Sequence, residues 1–261
     1  MKYELKELNT NEIFSTAFNL YLDNFVPLFL IAVVSGLPGF LYSQYNMHRV
    51  LSGEAMGPSF GMLITLLVTT VGYTLGTGLT IELVSKKFLG KSQTMGEYIS
   101  NITPFLLPIV GLAILEGLVV GLGFLLLIIP GVVLYMGLSL SSQVLIIERS
   151  GVVDSMKRSW ELAKGHKGEI FGFLFVMGLI TFAISAVLKF VLMPMLDLGN
   201  IQSNLMAHGI VDYLFSAVIN PMASCLLILI YFNLRIKKEG FGLEHMVDQF
   251  SQASTEPSIE A

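Results

Sequence analysis

The sequence predicts an all-α polytopic membrane protein with six transmembrane helices. Residues 98 to 147 contain a single charged side chain, Glu116. Because about 20 apolar residues cross a bilayer once, an apolar run of this length can cross it twice. The whole chain is 54% hydrophobic and 13% charged, with a mean hydropathy of +0.73, whereas soluble proteins are about 25% charged. The surplus of apolar side chains must therefore face lipid.

The six spans follow from the uncharged runs between ionisable residues. We expect the 98–147 run to fold into two helices at Pro130-Gly131, and the other four spans to cover residues 24–48, 55–81, 170–196 and 213–234. The first 24 residues are too polar for a cleavable signal peptide, so the first span is expected to target the chain. Residues 1–244 then form one six-span membrane domain, and the polar segment 245–261 is expected to be a disordered cytoplasmic tail.

The positions of lysine and arginine predict the orientation. Thirteen of the 15 lysines and arginines lie in the N-terminal segment, the second and fourth loops, or the C-terminal side. The alternate loops carry only Arg49, and Lys189 lies within a span. Cytoplasmic loops of membrane proteins are enriched in these residues. We therefore expect a multi-pass protein of the bacterial cytoplasmic (inner) membrane with both termini in the cytoplasm.

Short amphipathic helices are predicted before the first, third and fifth spans, near residues 11–23, 93–101 and 151–164. Apolar side chains recur there at helical spacing, and Thr10-Asn11 and Gln93-Thr94 supply capping residues for the first two. This pattern favours three tandem units, each an interfacial amphipathic helix followed by a transmembrane hairpin. The apolar positions are Ile13, Phe14, Ala17, Phe18 and Tyr21; Met95, Tyr98, Ile99 and Ile102; and Val152, Val153, Met156, Trp160 and Ala163.

Small residues indicate where helices approach closely within the membrane. Gly72 and Gly76 form one GxxxG pair, and Gly117 and Gly121 form another. Such pairs pack helices of one chain or form a dimerisation face. In the sixth span, Asn220-Pro221 predicts a loosened or kinked helix with one freed carbonyl.

Glu116, Lys189 and Asn220 form the predicted intramembrane polar site. An ionisable group in the hydrocarbon is a functional candidate by default. At about 1.5 Å rise per residue, the axial depths of Glu116 and Lys189 differ by roughly 9 Å, which a lysine stem can largely span. One reading is a polar contact that lines a cavity for a lipid headgroup, a solute or a proton. The other is a structural pair, or separate residues with Lys189 reaching the outer interface.

The third amphipathic stretch predicts an interfacial lipid contact. Anionic headgroups attract each basic residue by about 1 kcal/mol, and tryptophan prefers the interface. General anchoring of a cytoplasmic loop explains the same residues. The predicted contact consists of Lys157, Arg158, Trp160, Lys164 and Lys167.

The sequence contains none of the motifs that would indicate an enzyme. The four histidines lie in separate segments, and the one cysteine, Cys225, lies in an apolar segment. Neither a zinc-binding spacing nor a phosphate loop nor a nucleophile elbow is found. We therefore expect no catalytic residues, no metal and no cofactor, and no nucleic-acid partner.

The segment IIPGVVLYMGLSLSSQVLIIERSGVVDSMKRSWELAKGHKGEIFGF, from Ile128 to Phe173, resembles the glycerophosphoryl diester phosphodiesterase membrane-domain family and related uncharacterised six-span bacterial membrane proteins. The shared elements are Pro130-Gly131 at a helix start, Glu148 at its end, and the stretch from Ser159 to Gly165. The resemblance covers most of residues 8–244. Family members that bear the enzyme's name carry a soluble catalytic barrel. Here 27 residues remain from Arg235 onward, so the resemblance implies the membrane fold without phosphodiesterase activity.

Three classes of function remain. The first, which we favour, is a non-enzymatic membrane-organising, regulatory or accessory module that contacts lipid, anionic at the cytoplasmic face, or a membrane or envelope protein. The second is a transporter or channel for a small solute or lipid that uses the intramembrane polar residues. The third is an intramembrane enzyme. The residues leave the oligomeric state open.

Overall fold

A computed structural model describes residues 6–53, 60–192 and 201–240. Every regular element in these ranges is helical. A 3₁₀ turn, Thr103–Phe105, joins α4 to α5, and a π-helical turn, Leu188–Leu192, follows α9. The α-helices are α1 (Thr10–Asp23), α2 (Phe25–Leu51), α3 (Phe60–Phe88), α4 (Met95–Ile102), α5 (Leu106–Leu126), α6 (Ile128–Leu138), α7 (Ser141–Ile147), α8 (Val152–Ala163), α9 (Lys167–Val187) and α10 (Ile201–Glu239).

Six helical segments in these ranges are long and apolar enough to cross a membrane, which confirms the all-α prediction with six spans. The predicted residues 55–59 and 193–196 of the second and fifth spans lie outside the described ranges, as does the predicted tail 245–261. The segments are Phe25–Leu51, Gly61–Phe88, Met95–Leu126, Ile128–Ile147, Lys167–Phe190 and Ser203–Glu239.

The third and fourth spans form the expected hairpin, but the chain turns at Leu127 and not at Pro130-Gly131. Leu127 is extended, with φ −163° and ψ 155°, between two helices. Pro130 falls in the first turn of α6, where its missing N–H removes no intrahelical bond. Gly131 lets the two helices approach closely, since an added Cβ would lie 2.5 Å from the Phe124 ring.

Amphipathic helices α1, α4 and α8 lie where the sequence predicts them. In α4, Thr94 and Glu97 form a capping box, with the Thr94 N–H donating to the Glu97 carboxylate at 2.6 Å. The cap of α1 is Asn9, one residue before the predicted Thr10-Asn11. The Asn9 N–H donates to Glu12 at 2.8 Å and lowers the pKa of that carboxyl. These helices are positioned as expected, while the three-fold repeat itself remains a prediction.

The predicted apolar faces of these helices are only partly buried. Ile13, Ala17 and Tyr21 of α1 and Tyr98 and Ile102 of α4 are buried. Phe18, Met95, Ile99 and Val153 are exposed. In α8 the fully buried positions are Ser155, Ser159, Leu162 and Ala163. Three of these four side chains are small, which allows the helix to lie close against the bundle.

Helix α10 organises the end of the bundle at which α3, α7 and α10 finish, called here the polar end. Phe232 packs on Phe88 of α3 with ring centroids 5.1 Å apart. The Asn233 amide oxygen accepts the Leu8 N–H at 2.8 Å, which holds the segment before α1. Phe14 of α1 packs on Phe173 of α9 at 5.2 Å. All three amphipathic helices are thus attached at the same end.

The two GxxxG pairs have different surroundings. A Cβ added at Gly72 would lie 2.8 Å from the Ser35 carbonyl oxygen, and one added at Gly76 would overlap the Ser35 side chain. This pair therefore packs α3 against α2 within the chain. At Gly117 and Gly121 an added Cβ would meet nothing within 4 Å, so the second pair makes no such contact with the residues that the structure describes.

Candidate functional site

Glu116 lies on α5 opposite a break in the fourth span. Ser141, at the start of α7, is a neighbouring hydroxyl-bearing residue. The Glu116 Oε1 atom is buried and has no hydrogen-bond partner among the described residues. Glu116 therefore keeps one acceptor that the described part of the protein does not satisfy.

The break separates α6 from α7 at residues 139 and 140, and a side chain from α8 satisfies its backbone groups. The Ser159 hydroxyl donates to the Gly137 carbonyl at 2.8 Å and accepts the Leu140 N–H at 3.2 Å. The Ser139 and Ser141 hydroxyls donate to carbonyls of the preceding turn. Broken helices in membranes persist only where such partners exist. This break was not predicted from the sequence, although the run Gly137-Leu-Ser-Leu-Ser-Ser142 contains residues that favour one.

Lys189 has a different partner from the one considered in the sequence analysis. It lies in the π-helical turn after α9, and its Nζ is 3.5 Å from Asp212 Oδ2 on α10. Both side chains are about half exposed. The structure thus pairs Lys189 with Asp212, whereas Glu116 lies on α5.

Asn220 lines a cleft between α2, α3 and α10, with a volume of about 90 Å³. Helix α10 continues through Pro221 without a break. The Tyr21 hydroxyl donates to the nearby Val218 carbonyl at 2.9 Å, and burial raises the pKa of that hydroxyl. The structure therefore places Asn220 in a cavity that contains neither Glu116 nor Lys189.

The five residues of the predicted lipid contact on and after α8 have separate roles. Lys157 is exposed and pairs with Asp154 at 3.9 Å, and Lys164 is also exposed. Trp160 packs on Gly137, and Lys167 Nζ lies 3.1 Å from the centroid of the Trp160 ring. Arg158 instead points into the bundle. Four of the five residues thus remain at the surface of this end.

Arg158 belongs to a partly buried ion network that was not predicted from the sequence. Its Nε is 3.3 Å from Glu148 Oε2, and its guanidinium also contacts Glu239. Arg235 Nε lies 3.8 Å from Glu148 and 3.0 Å from Glu239. The Tyr231 hydroxyl donates to Glu148 at 2.8 Å. Two carboxylates and two guanidiniums therefore balance in charge where α7, α8 and α10 meet.

One sequence signal could have revealed this network. Tyr231, Arg235 and Glu239 are four residues apart and so share one face of α10. Glu148 ends an apolar run and was used only to mark the boundary of a span. The sequence does not show which other helix supplies the partner of each residue, so these residues look like ordinary charges at the ends of spans.

A second buried polar group lies at the end of α3. Glu82 and Lys86 are almost fully buried, with Oε1 and Nζ 3.9 Å apart. The Asn101 amide, at the end of α4, donates to Glu82 at 3.0 Å. Among the described residues, no group of three or more histidine, cysteine, aspartate or glutamate side chains is placed to hold a metal ion. The charged clusters at this end thus connect helices to one another.

Six apolar spans, with ion networks at one end and a neutral polar cleft between helices, define a polytopic α-helical membrane protein. The chain belongs to the uncharacterised protein family UPF0259, whose family model matches residues 59–235. A UPF0259 membrane protein of Pectobacterium carotovorum subsp. carotovorum (strain PC1) is 38% identical over 96 residues. That match covers 37% of this chain and 38% of the relative's length. No solved structure matches.

These matches confirm the resemblance to uncharacterised membrane proteins. Neither match carries the phosphodiesterase name, so the phosphodiesterase membrane domain stays a resemblance only. The matched region begins before α3 and ends at Arg235, and it therefore includes Glu116, the helix break and most of the ion network.

Proposed function

We propose that this protein is a non-enzymatic membrane-organising or accessory module that binds anionic lipid through α8. The observation that carries the proposal is that the basic residues on and after this helix have different surroundings. Arg158 is neutralised by Glu148 and Glu239, whereas Lys157 and Lys164 project from the surface beside Trp160 and Lys167. A tryptophan with exposed lysines around it suits the headgroup region of a charged leaflet.

The rigid attachment of α8 supports this role. Its buried face carries Ser159, which bridges the helix break, and Arg158, which joins it to α7 and α10. A lipid that binds the outer face therefore contacts an element coupled to the fourth and sixth spans. The resemblance to a membrane domain that accompanies a separate catalytic domain in other proteins also favours an accessory role.

The test is native mass spectrometry of the protein in nanodiscs of mixed phosphatidylethanolamine and phosphatidylglycerol. We expect Lys157→Gln and Lys164→Gln to lower the retained phosphatidylglycerol by about five-fold each, since each lysine contributes about 1 kcal/mol. The matched control is the Lys87→Gln/Lys91→Gln double variant, which removes two charges at the same end away from α8. If the control lost as much phosphatidylglycerol as the α8 variants, the binding would reflect general anchoring by positive charge and not a contact at α8.

The proposed orientation places the polar end in the cytoplasm of a bacterium with its spans in the inner membrane. Apart from Arg49 and Lys189, every described lysine and arginine lies at this end, which is the distribution of cytoplasmic loops. The lone Cys225 is buried, so introduced cysteines can be read without background. We expect Ser52→Cys to react with an impermeant maleimide in intact cells and Lys157→Cys to react only after permeabilisation. The reverse labelling pattern would show that the polar end lies outside the cytoplasm.

Transport of a small solute or lipid is the second candidate, favoured by the polar cleft at membrane depth and by the unsatisfied oxygen of Glu116. Flux into vesicles that contain the reconstituted protein distinguishes this role from the first. Transport predicts substrate-dependent flux that Glu116→Gln or Asn220→Leu reduces, whereas a membrane-organising module predicts the same leak as protein-free vesicles.

A further inference from the structure

The cleft between α2, α3 and α10 is polar although it lies within three apolar spans. Thr80 is buried at its inner side, while Tyr73, Ser216 and Asn220 are exposed around its opening. Asn220 lies 15 residues before Arg235 on α10, which corresponds to about 22 Å along the helix at 1.5 Å per residue. Asn220 therefore lies within the hydrocarbon, and the cleft extends from it along α10 as far as Tyr213.

Hydrogen bonding inside the cleft leaves both acceptors and donors available. The hydroxyls of Ser35, Thr77 and Ser224 donate to carbonyls of their own helices, so their oxygen lone pairs remain free to accept. The Ser216 hydroxyl and the Asn220 amide have no hydrogen-bond partner among the described residues. In hydrocarbon, an amide without a partner is unfavourable. A group that both donates and accepts would satisfy these side chains together.

The backbone adds a further acceptor. Pro221 has no N–H, so the Ala217 carbonyl lacks the hydrogen bond that a regular helix would give it. Both residues line the cleft. Tyr213, on the same helix, donates to the Val33 carbonyl and stacks on Phe40 of α2 at 4.7 Å. These contacts hold α10 against α2 beside the cleft, so its shape is built into the helix packing.

The chemistry of the cleft restricts its occupant. Among the described residues, no aspartate, glutamate, lysine, arginine or histidine lines it, and a phosphate or ammonium group would stay uncompensated there. Its volume of about 90 Å³ holds several water-sized groups, which is enough for a small hydroxyl-bearing head. We propose that this cleft binds the uncharged, hydroxyl-bearing head of a membrane lipid, a long-chain alcohol or glyceride, whose chain lies between α3 and α10 in the hydrocarbon.

The experiment uses the full chain in nanodiscs and a hexadecanol probe that carries a diazirine near its hydroxyl. After photolysis, mass spectrometry of peptides locates the adducts. We expect saturable labelling of α3 and α10 around Thr77 and Asn220, which unlabelled hexadecanol displaces and hexadecyl phosphate does not. Asn220→Leu should reduce the labelling by about five-fold, the effect of losing one hydrogen bond.

A second variant keeps the test valid if Asn220→Leu does not fold. Thr77→Val keeps the shape of the side chain and removes its hydroxyl, and Thr65→Val is its control on the same helix, where the hydroxyl donates to Gly61 away from the cleft. Labelling that falls in Thr77→Val and not in Thr65→Val supports the site. Adducts spread without saturation over the lipid-facing helices, or equal displacement by the phosphate, would overturn it.

The outcome is independent of the lipid contact proposed for α8. Asn220→Leu and Thr77→Val lie far from Lys157 and Lys164 along the spans, so they should leave the retention of phosphatidylglycerol unchanged. Loss of hexadecanol labelling with normal phosphatidylglycerol retention would separate the two sites, whereas unchanged labelling in both variants would overturn the cleft site and leave the α8 contact to its own test.

Discussion

Glu148→Ala is expected to lower the free energy of unfolding by about 1–3 kcal/mol, the effect of leaving partly buried polar groups without a partner. The side chains of Glu148 and Arg235 are 19% and 7% exposed. Without Glu148, the guanidiniums of Arg158 and Arg235 share one carboxylate, and the buried Tyr231 hydroxyl loses its acceptor. The measurement is the midpoint of thermal unfolding in detergent micelles. Unfolding is monitored as the decrease in the amount of monodisperse protein.

The matched control is Asp154→Ala, which breaks the exposed pair with Lys157. Exposed pairs contribute about 0–1 kcal/mol, so this variant should unfold at almost the same temperature as the parent protein. Adding Arg158→Leu to Glu148→Ala removes the excess positive charge and should recover part of the loss. A midpoint for Glu148→Ala that matches the control would show that the network contributes nothing to stability.

Gly76→Ala is expected to destabilise the contact between α2 and α3 by about 1–3 kcal/mol, the usual effect of overpacking. The new Cβ would lie 2.5 Å from the Ser35 Cβ, and the two helices cannot separate without losing their packing along the whole contact. Gly117→Ala is the matched control, because a Cβ there meets nothing within 4 Å. That control should be neutral or slightly stabilising, since alanine favours helix over glycine. Thermal unfolding measures both.

A second substitution identifies the clash. Ser35→Gly removes the side chain that Gly76→Ala would strike, so the double variant should regain most of the lost stability. Gly72→Ala should not be rescued in this way, because its Cβ would meet the Ser35 carbonyl oxygen at 2.8 Å. If Ser35→Gly rescued both variants or neither, the close approach at Ser35 would not be the cause.

The sequence predicts the spans and the interfacial helices well because both depend on local patterns. Glu97 and Glu148 mark the ends of a 50-residue run whose apolar character decides its place in the membrane. Thr94 and Glu97 cap α4 through neighbours three residues apart. The prediction failed by a few residues at Pro130, because the position of a tight turn depends on how α5 and α6 pack around Gly123 and Gly131.

The candidate site was less predictable because its residues are brought together by helices distant in the chain. Glu116, Lys189 and Asn220 are all rare polar groups in apolar spans, yet the structure gives them separate surroundings: the helix break, Asp212 and the polar cleft. Arg158 reads as a surface charge on an amphipathic helix, although its partner Glu239 lies 81 residues away in sequence. Spacing on one helix cannot show which of its charges a distant helix neutralises.

The sequence by itself determines that this chain is a six-span membrane protein with amphipathic helices at one end, because hydrophobic length and periodicity are properties of single segments. Only the tertiary structure decides which polar groups are structural and which remain available. Burial in a low-dielectric environment makes an unpaired polar group unfavourable, and the available partners depend on helix packing. The Ser159 bridge and the Glu148 network satisfy their members, whereas Asn220 and one oxygen of Glu116 stay without a partner in the part of the chain that the structure describes.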